Sequence, residues 1–244
     1  MVDQSGRVAL VTGATRGIGR AAALALAEAA IHVVAVGRTS GGLEELDDEI
    51  KAKGGAATLV PLDLTDSPGI DRLGAALYER WGRLDILFAN AGVLGLITPL
   101  AHLDQKVWDE VMAVNVTANW RLIRSLDPLL RASQAGRALF MGSAAAQSRR
   151  PYWGPYSISK AALEAMTATW AGEVLQTGLR VNLFYPGATR TRMRAQAMPG
   201  EDPQTLPLPE ALVPDIVRML SPDFEETGTV FDFPTRQSKP LIGG

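Results

Sequence analysis

The sequence predicts an α/β protein built on a doubly wound parallel sheet of about seven strands, with helices on both faces. Three observations carry this expectation. Short, nearly continuous apolar runs alternate with longer helical stretches along the chain, as parallel strands covered on both faces require. The 244 residues are 47% hydrophobic and 20% charged, a composition that can bury its own core. No shift of composition marks a linker and no segment repeats. Residues 1–236 therefore read as one domain, and 237–244 as a loose C-terminal tail.

The elements follow in order. Arg7–Thr12 (RVALVT) is the first strand and is followed by a helix over 18–29. Ile31–Val36 (IHVVAV) leads into a helix over 41–53, which Gly54-Gly55 stops after Lys51 and Lys53. Ala56–Leu62 and Leu84–Asn90 are the third and fourth strands, followed by helices over 69–81 and 104–131. Arg137–Ser143 precedes a helix over 155–176, and Leu179–Tyr185 is the sixth strand. Pro186–Pro209 is a long irregular stretch rich in Pro, Arg and Met. In a compact domain such a stretch is usually a lid or binding loop. A helix near 209–220 and a strand near Gly228–Phe233 complete the pattern.

Composition also excludes whole classes of function. Lys and Arg number 24 against 26 Asp and Glu, a net charge of −2. That balance gives no electrostatic reason to expect nucleic acid or a membrane surface as partner. There is no cysteine, which removes disulfides, thiolate zinc sites and thiol nucleophiles. His32 and His102 are the only histidines; neither has a triad setting, and no metal site is expected. The start, MVDQSGRVALVTG, lacks the basic-then-apolar layout of a secretory leader. Apolar runs such as Ala21–Ala27 are too short to span a bilayer. A cytoplasmic protein is the expectation.

Between the first strand and first helix lies Thr12-Gly-Ala-Thr-Arg-Gly-Ile-Gly19. Here the backbone must turn tightly and approach a pyrophosphate, and Gly13, Gly17 and Gly19 carry no Cβ to obstruct it. The helix beginning at Ile18 presents free N–H groups to phosphates. Glycines serving only strand–helix packing are the plainer alternative, against which the strand-turn-helix context weighs. No Gly-Lys-Ser/Thr follows, so a P-loop is excluded.

Further signals recur at element ends. Asp63 lies in Leu62-Asp-Leu64 after the third strand, and Asn90-Ala-Gly92 ends the fourth. Asn115 lies in Val114-Asn-Val116, Ser143 ends the fifth strand, and Pro186-Gly187 follows the sixth. Tyr156-Ser-Ile-Ser-Lys160 puts a phenol and an ammonium four residues apart, on one helix face. A surface pair has the same spacing, but an ammonium held nearby lowers a phenol's pKa and fits it for acid–base work. Ser143, at a strand end, is placed to hydrogen-bond a substrate oxygen, or simply to satisfy the next loop. Asn115 follows Trp108, Val111 and Met112 on an apolar face, where a core amide needs partners. Ser157-Ile-Ser-Lys160 also matches the SxxK of serine acylases, but the companion Ser-Asp-Asn and Lys-Thr-Gly strings do not occur. Gly142-Ser143 lacks the first glycine of a GxSxG elbow.

Seven motifs in this order, over residues 7 to about 191, resemble the short-chain dehydrogenase/reductase family in its single-domain branch. The resemblance implies a Rossmann-type fold and metal-free hydride transfer between a nicotinamide and a carbonyl or alcohol. It implies a catalytic set of Asn115, Ser143, Tyr156 and Lys160. Tyr156 resembles the general acid/base, and Lys160 the residue that also holds the nicotinamide ribose. Asn115 resembles the residue holding a water in a relay to the lysine. The cofactor is expected on Gly13, Thr15, Arg16, Gly17, Ile18, Gly19, Arg38, Thr39, Asp63, Leu64, Asn90, Ala91, Gly92, Tyr156, Lys160, Pro186, Gly187, Thr189 and Thr191.

NADP(H) rather than NAD(H) is expected. An NAD-selective unit places an acidic residue about 20 residues past the glycine motif. Here Arg38 stands there, and no Asp or Glu lies between Glu28 and Glu44. Arg16 and Arg38 resemble the family's clamp on the 2′-phosphate, with Thr39 or Ser40 adding a hydroxyl. Two rivals are weighed: a nucleotide-binding sensor, which has no need of Ser143, Tyr156 and Lys160 together, and another Rossmann enzyme such as a methyltransferase.

The substrate is a small carbonyl or alcohol compound, framed by Ala144–Gln147, Arg149, Arg150, Tyr152, Trp153, Arg190, Arg192, Met193 and Arg194. The arginines either attract an acidic group or are solvated loop charges. Asp232-Phe-Pro234 departs from the DGG-like ending of the family's fatty-acid-type reductases. Apolar residues all round the helices at 104–131 and 155–176, Trp120, Leu122, Ile123, Leu163, Met166 and Trp170 among them, point to a homodimer or homotetramer.

Overall fold

The structure is a computed structural model and describes residues 6–242. The leader reading at residues 1–5 and the last two residues of the tail lie outside the described residues. Seven parallel strands are β1 Val8–Thr12, β2 His32–Gly37, β3 Ala57–Pro61, β4 Ile86–Ala89, β5 Arg137–Met141, β6 Arg180–Tyr185 and β7 Thr229–Asp232. An eighth, β8 (Gln237–Pro240), runs antiparallel to β7. The order in the sheet is β3-β2-β1-β4-β5-β6-β7-β8. Growth of the sheet reverses between β1 and β4, which opens a ligand crevice at the strands' C-terminal ends.

The helices are α1 Gly17–Glu28, α2 Ser40–Ala52, α3 Ser67–Trp81, α4 Gln105–Met112, α5 Ala118–Ala132, α6 Ala145–Ser148, α7 Gly154–Glu173, α8 Arg192–Ala197 and α9 Val213–Met219. Alternation along each strand sends side chains to opposite faces. Ala9, Val11, Val33 and Ala35 join one core with α1, α2 and α9, around Leu26, Leu46 and Ile216. Val8, Leu10, Val34 and Val36 join the other with α3, α5 and α7, around Leu77, Leu126 and Trp170. Local chemistry sets the boundaries. The Asp66 carboxylate accepts from Gly69 N at 3.0 Å to begin α3, and Gly82 ends it with φ of 67°.

Several expectations are corrected. Instead of a loose tail from Gln237, an eighth strand pairs with β7 and adds to the seven expected. Main-chain bonds to a free edge need no apolar pattern, and Ile242 anchors the strand over Gly228 and Gly172. The helix expected over 104–131 is broken by a π-helical turn at Ala113–Thr117. The irregular stretch after Pro186 contains α8 and short 3₁₀ turns at Pro203–Thr205 and Pro209–Leu212. The helix expected to end at 176 ends at Glu173. Among the described residues, no helix is long and apolar enough to cross a membrane.

Candidate active site

A cleft of about 1030 Å³ lies over the C-terminal ends of the strands. Thr12, the last residue of β1, begins its construction. Its hydroxyl accepts from Asn90 N and Ala91 N, both at 3.0 Å. The Asn90 side chain returns Nδ2–H to Thr12 O at 3.1 Å. The glycine turn packs into this joint. A Cβ on Gly19 would stand 2.3 Å from Gly13 O and 2.4 Å from Asn90 Nδ2. One on Gly13, whose φ is 63°, would crowd Ala91. Only glycine permits this approach.

The cleft is lined by every residue expected at the cofactor except Gly19. Gly19 sits behind the turn, where its missing Cβ brings α1 against Gly13. Asp63 accepts from Thr65 N at 2.9 Å and Thr65 Oγ1 at 2.8 Å. These bonds and the nearby Arg38 charge hold its carboxyl below its ordinary range. Thr191 begins α8, accepting from Arg194 N at 3.2 Å, and faces Gly17 across the cleft, 3.5 Å from where a Cβ there would stand.

Tyr156, Lys160 and Ser143 meet on the same wall. Ser143 lies two residues beyond β5, just before α6, with its hydroxyl close to the Tyr156 phenol. Lys160 Nζ stands 5.7 Å from the Tyr156 ring centroid and donates to Met141 O at 2.7 Å. The spacing Tyr156-x-x-x-Lys160 leads one to expect the ammonium to lower the phenol. Burial dominates instead: it raises Tyr156, and the Ser143 hydroxyl only partly offsets that. Burial also pulls Lys160 down to about 8. The physical reason is that both groups are nearly water-free, which disfavours each charged form.

Asn115 is fully buried and does not line the cleft. Its Oδ1 accepts from Val93 N at 2.8 Å, and its Nδ2 donates to Val93 O and Ser159 Oγ, both at 2.9 Å. The π turn widens the helix at this residue. Ser159 was not among the sequence candidates; its place three residues after Tyr156 on the same helix is the available signal.

The residues expected around the substrate divide. Trp153, Arg190, Arg192, Met193 and Arg194 line the cleft; Ala144–Gln147, Arg149, Arg150 and Tyr152 do not. Arg194 is held by Glu201 through two bonds of 2.6 Å. Arg190 donates to Gln204 O and Leu206 O. Of the three arginines expected near the substrate, Arg190 and Arg194 are thus engaged within the stretch after Pro186 itself. Among the described residues no cluster of three or more His, Asp or Glu is placed to hold a metal.

Known proteins resemble this chain in sequence and fold. The sequence matches the short chain dehydrogenase family over residues 7–202. This chain belongs to the short-chain dehydrogenase family. It is 38% identical over 230 residues to the uncharacterized oxidoreductase YciK of Escherichia coli, covering 93% of this chain and 91% of that one. A short chain dehydrogenase of Pseudomonas syringae superimposes with a TM-score of 0.91 at 40% identity, over 94% of this chain and 95% of that one. One from Shigella flexneri, solved in complex with NADP, superimposes with a TM-score of 0.90 at 38% identity, over 93% and 97% of the two chains. Like them, this short-chain dehydrogenase is an oxidoreductase with a Rossmann-type sheet.

The burial of Lys160 has a measurable consequence. Between pH 8 and the ordinary lysine value of 10.5, the folded chain binds fewer protons at this site than the unfolded chain. Stability contributed here therefore rises with pH across that window, and the cost of burial is greatest below it. Lys160→Met removes the titrating group. The variant's stability relative to wild type is expected to fall between pH 7 and pH 9.5, measured by urea unfolding. A difference independent of pH would contradict the desolvation of Lys160. Tyr156, raised above 10, acts only at higher pH.

Proposed function

We propose that this oxidoreductase interconverts a carbonyl and an alcohol with NADP(H). The carrying observation is the convergence of Tyr156, Ser143 and Lys160 in the cleft that also holds the glycine turn, Arg16 and Arg38. The glycine turn fits a dinucleotide, because Gly13 and Gly17 line the cleft without side chains at the start of α1. Gly13, Gly17 and Ile18 would hold the pyrophosphate, and Asp63, Leu64 and Asn90–Gly92 the adenosine and nicotinamide walls. Pro186, Gly187, Thr189 and Thr191 would close the opposite side. When bound, the nicotinamide supplies or accepts the hydride.

Each polar residue has a distinct task in this reading. Tyr156, kept protonated by burial, donates its proton to the developing alkoxide and accepts one in the reverse direction. Ser143, beside that phenol, donates toward the substrate oxygen. Lys160, mostly protonated at pH 7 although lowered to about 8, offsets the charge left on Tyr156 and binds the ribose. Asn115 holds α7 to the loop at Val93 through Ser159, which fixes the height of Lys160. Arg16 and Arg38 are exposed at the far end of the cleft, where their planar guanidinium groups suit a 2′-phosphate.

The same reading includes association of at least two copies. On α7, Leu163 and Trp170 of the expected stripe face inward and are buried, as is Val174 just beyond the helix, while Met166 is half-buried. The opposite stripe of Ile158, Ala161 and Ala165 is exposed, as is Trp120 on α5. A two-fold contact through these helices would cover them.

Three measurements test these points. Tyr156→Phe is expected to bind NADPH normally and lose about 100-fold or more in turnover, read at 340 nm with ketones, aldehydes and acyl thioesters; near wild-type turnover would sink the mechanism. Arg38→Asp is expected to lose the preference for NADPH over NADH. One charge-assisted contact of roughly 1.5–3 kcal/mol corresponds to about 10- to 100-fold in affinity, measured by nicotinamide fluorescence. Light scattering at micromolar concentration is expected to give at least twice the 26.0 kDa of one chain, and a monomer would refute the association.

A further inference from the structure

Three segments meet at the wall around Tyr156: the stretch from Ser143 into α6, helix α7, and the end of β6 that runs into Pro186-Gly187. One carboxylate touches all three. Glu164 stands on α7, one turn beyond Lys160 and two beyond Tyr156. Its Oε2 accepts a short hydrogen bond from the Tyr185 hydroxyl, at the end of β6. Its Oε1 accepts from Gln147 Nε2 of α6 at 3.4 Å. Tyr185 is itself buried, with 4% of its surface exposed. Burial and the Glu164 carboxylate hold its phenol far above the ordinary value. Asp232, opposite Tyr185 in the β6–β7 register, pushes the same way. Tyr185 therefore stays a donor across the working pH range, and the Tyr185–Glu164 bond persists.

We propose that Glu164, held by Tyr185 and Gln147, is a positioning residue that fixes Tyr156 against Ser143. The proposal rests on the carbonyl–alcohol reading above. The route is mechanical. Gln147 lies four residues past Ser143, and Ser143 Oγ accepts from Ala145 N at 3.2 Å within the same short turn. Releasing Gln147 and Tyr185 removes the side-chain ties that fix α6 and the β6 end to this turn of α7. The Ser143 hydroxyl would then draw away from the Tyr156 phenol, whose rise it opposes. Displacements of about 1 Å at a reacting group can cost on the order of 100-fold in rate.

The four tyrosines of the chain, Tyr78, Tyr152, Tyr156 and Tyr185, allow this to be read without a substrate. Protein labelled with 13C at tyrosine Cζ, with saturating NADPH, is titrated by NMR as wild type, Glu164→Ala, Glu164→Gln and Tyr185→Phe. Glutamine keeps an acceptor for the Tyr185 hydroxyl and an amide that pairs with Gln147, without the charge. The expected result is a higher Tyr156 midpoint in Glu164→Ala and Tyr185→Phe, and a wild-type midpoint in Glu164→Gln. For any carbonyl that wild type reduces, kcat should fall about 10-fold in the first two variants, with KM and NADPH affinity within about twofold. Lower melting temperatures with an unmoved Tyr156 midpoint would overturn the proposal and leave Glu164 a purely structural residue. Wild type that binds NADPH but reduces no carbonyl would instead sink the functional reading, and the midpoint would still judge the positioning.

Discussion

The joint between Thr12 and Asn90 is the contact on which the site depends. β1 and β4 are neighbours in the sheet, yet the chain crosses back over β2 and β3 between them. Their C-terminal ends must diverge to make a crevice, but not so far that the glycine turn loses its support. One hydroxyl accepting two backbone N–H groups, with one amide returned to Thr12 O, sets that separation. The same amide group occupies the space beside Gly19. Sheet topology, loop spacing and the approach of α1 to the turn are thereby locked together. A side chain at residue 19 would drive α1 away from Gly13, and the cradle with it.

The polar side of the cleft is organised by dehydration as much as by charge. Lys160 and Tyr156 are both nearly removed from water, and each is pushed toward its neutral form. The fold compensates with nearby polar groups rather than a counter-charge: Met141 O bonded to the ammonium and the Ser143 hydroxyl beside the phenol. Protein dipoles so arranged do not have to reorganise when charge moves. Asn115 spends its side chain on the backbone of Val93 and on Ser159. It is a brace across elements that sequence separates by 22 and 44 positions.

Much of this was legible from the chain, for identifiable reasons. The parallel strands are apolar on both faces, so continuous runs such as Val8–Thr12 announced themselves. The glycine turn and the Tyr156–Lys160 spacing were legible because local geometry alone gives them meaning. The π turn at Ala113–Thr117 was not, since it depends on what Asn115 bonds to in a distant loop. β8 escaped because pairing with a free edge leaves no hydrophobic signature in Gln237–Pro240, every residue of which is exposed. The loop arginines divided for the same kind of reason: only the fold brings Glu201 to Arg194. The direction of the Tyr156 shift also lay beyond the sequence, because it turns on how completely water is excluded.

β8 also bears on how the protein behaves at high concentration. An uncovered β7 would present Val230 and Phe231, both largely buried, beside a row of free main-chain groups, the template on which sheets grow into fibrils. The strand that covers it is polar, ends in Pro240 without an N–H, and carries Lys239 opposite Val230. Such an edge is a poor acceptor for another strand. Growth of the sheet from copy to copy is thereby discouraged at this margin, which gives the chain a built-in resistance to aggregation.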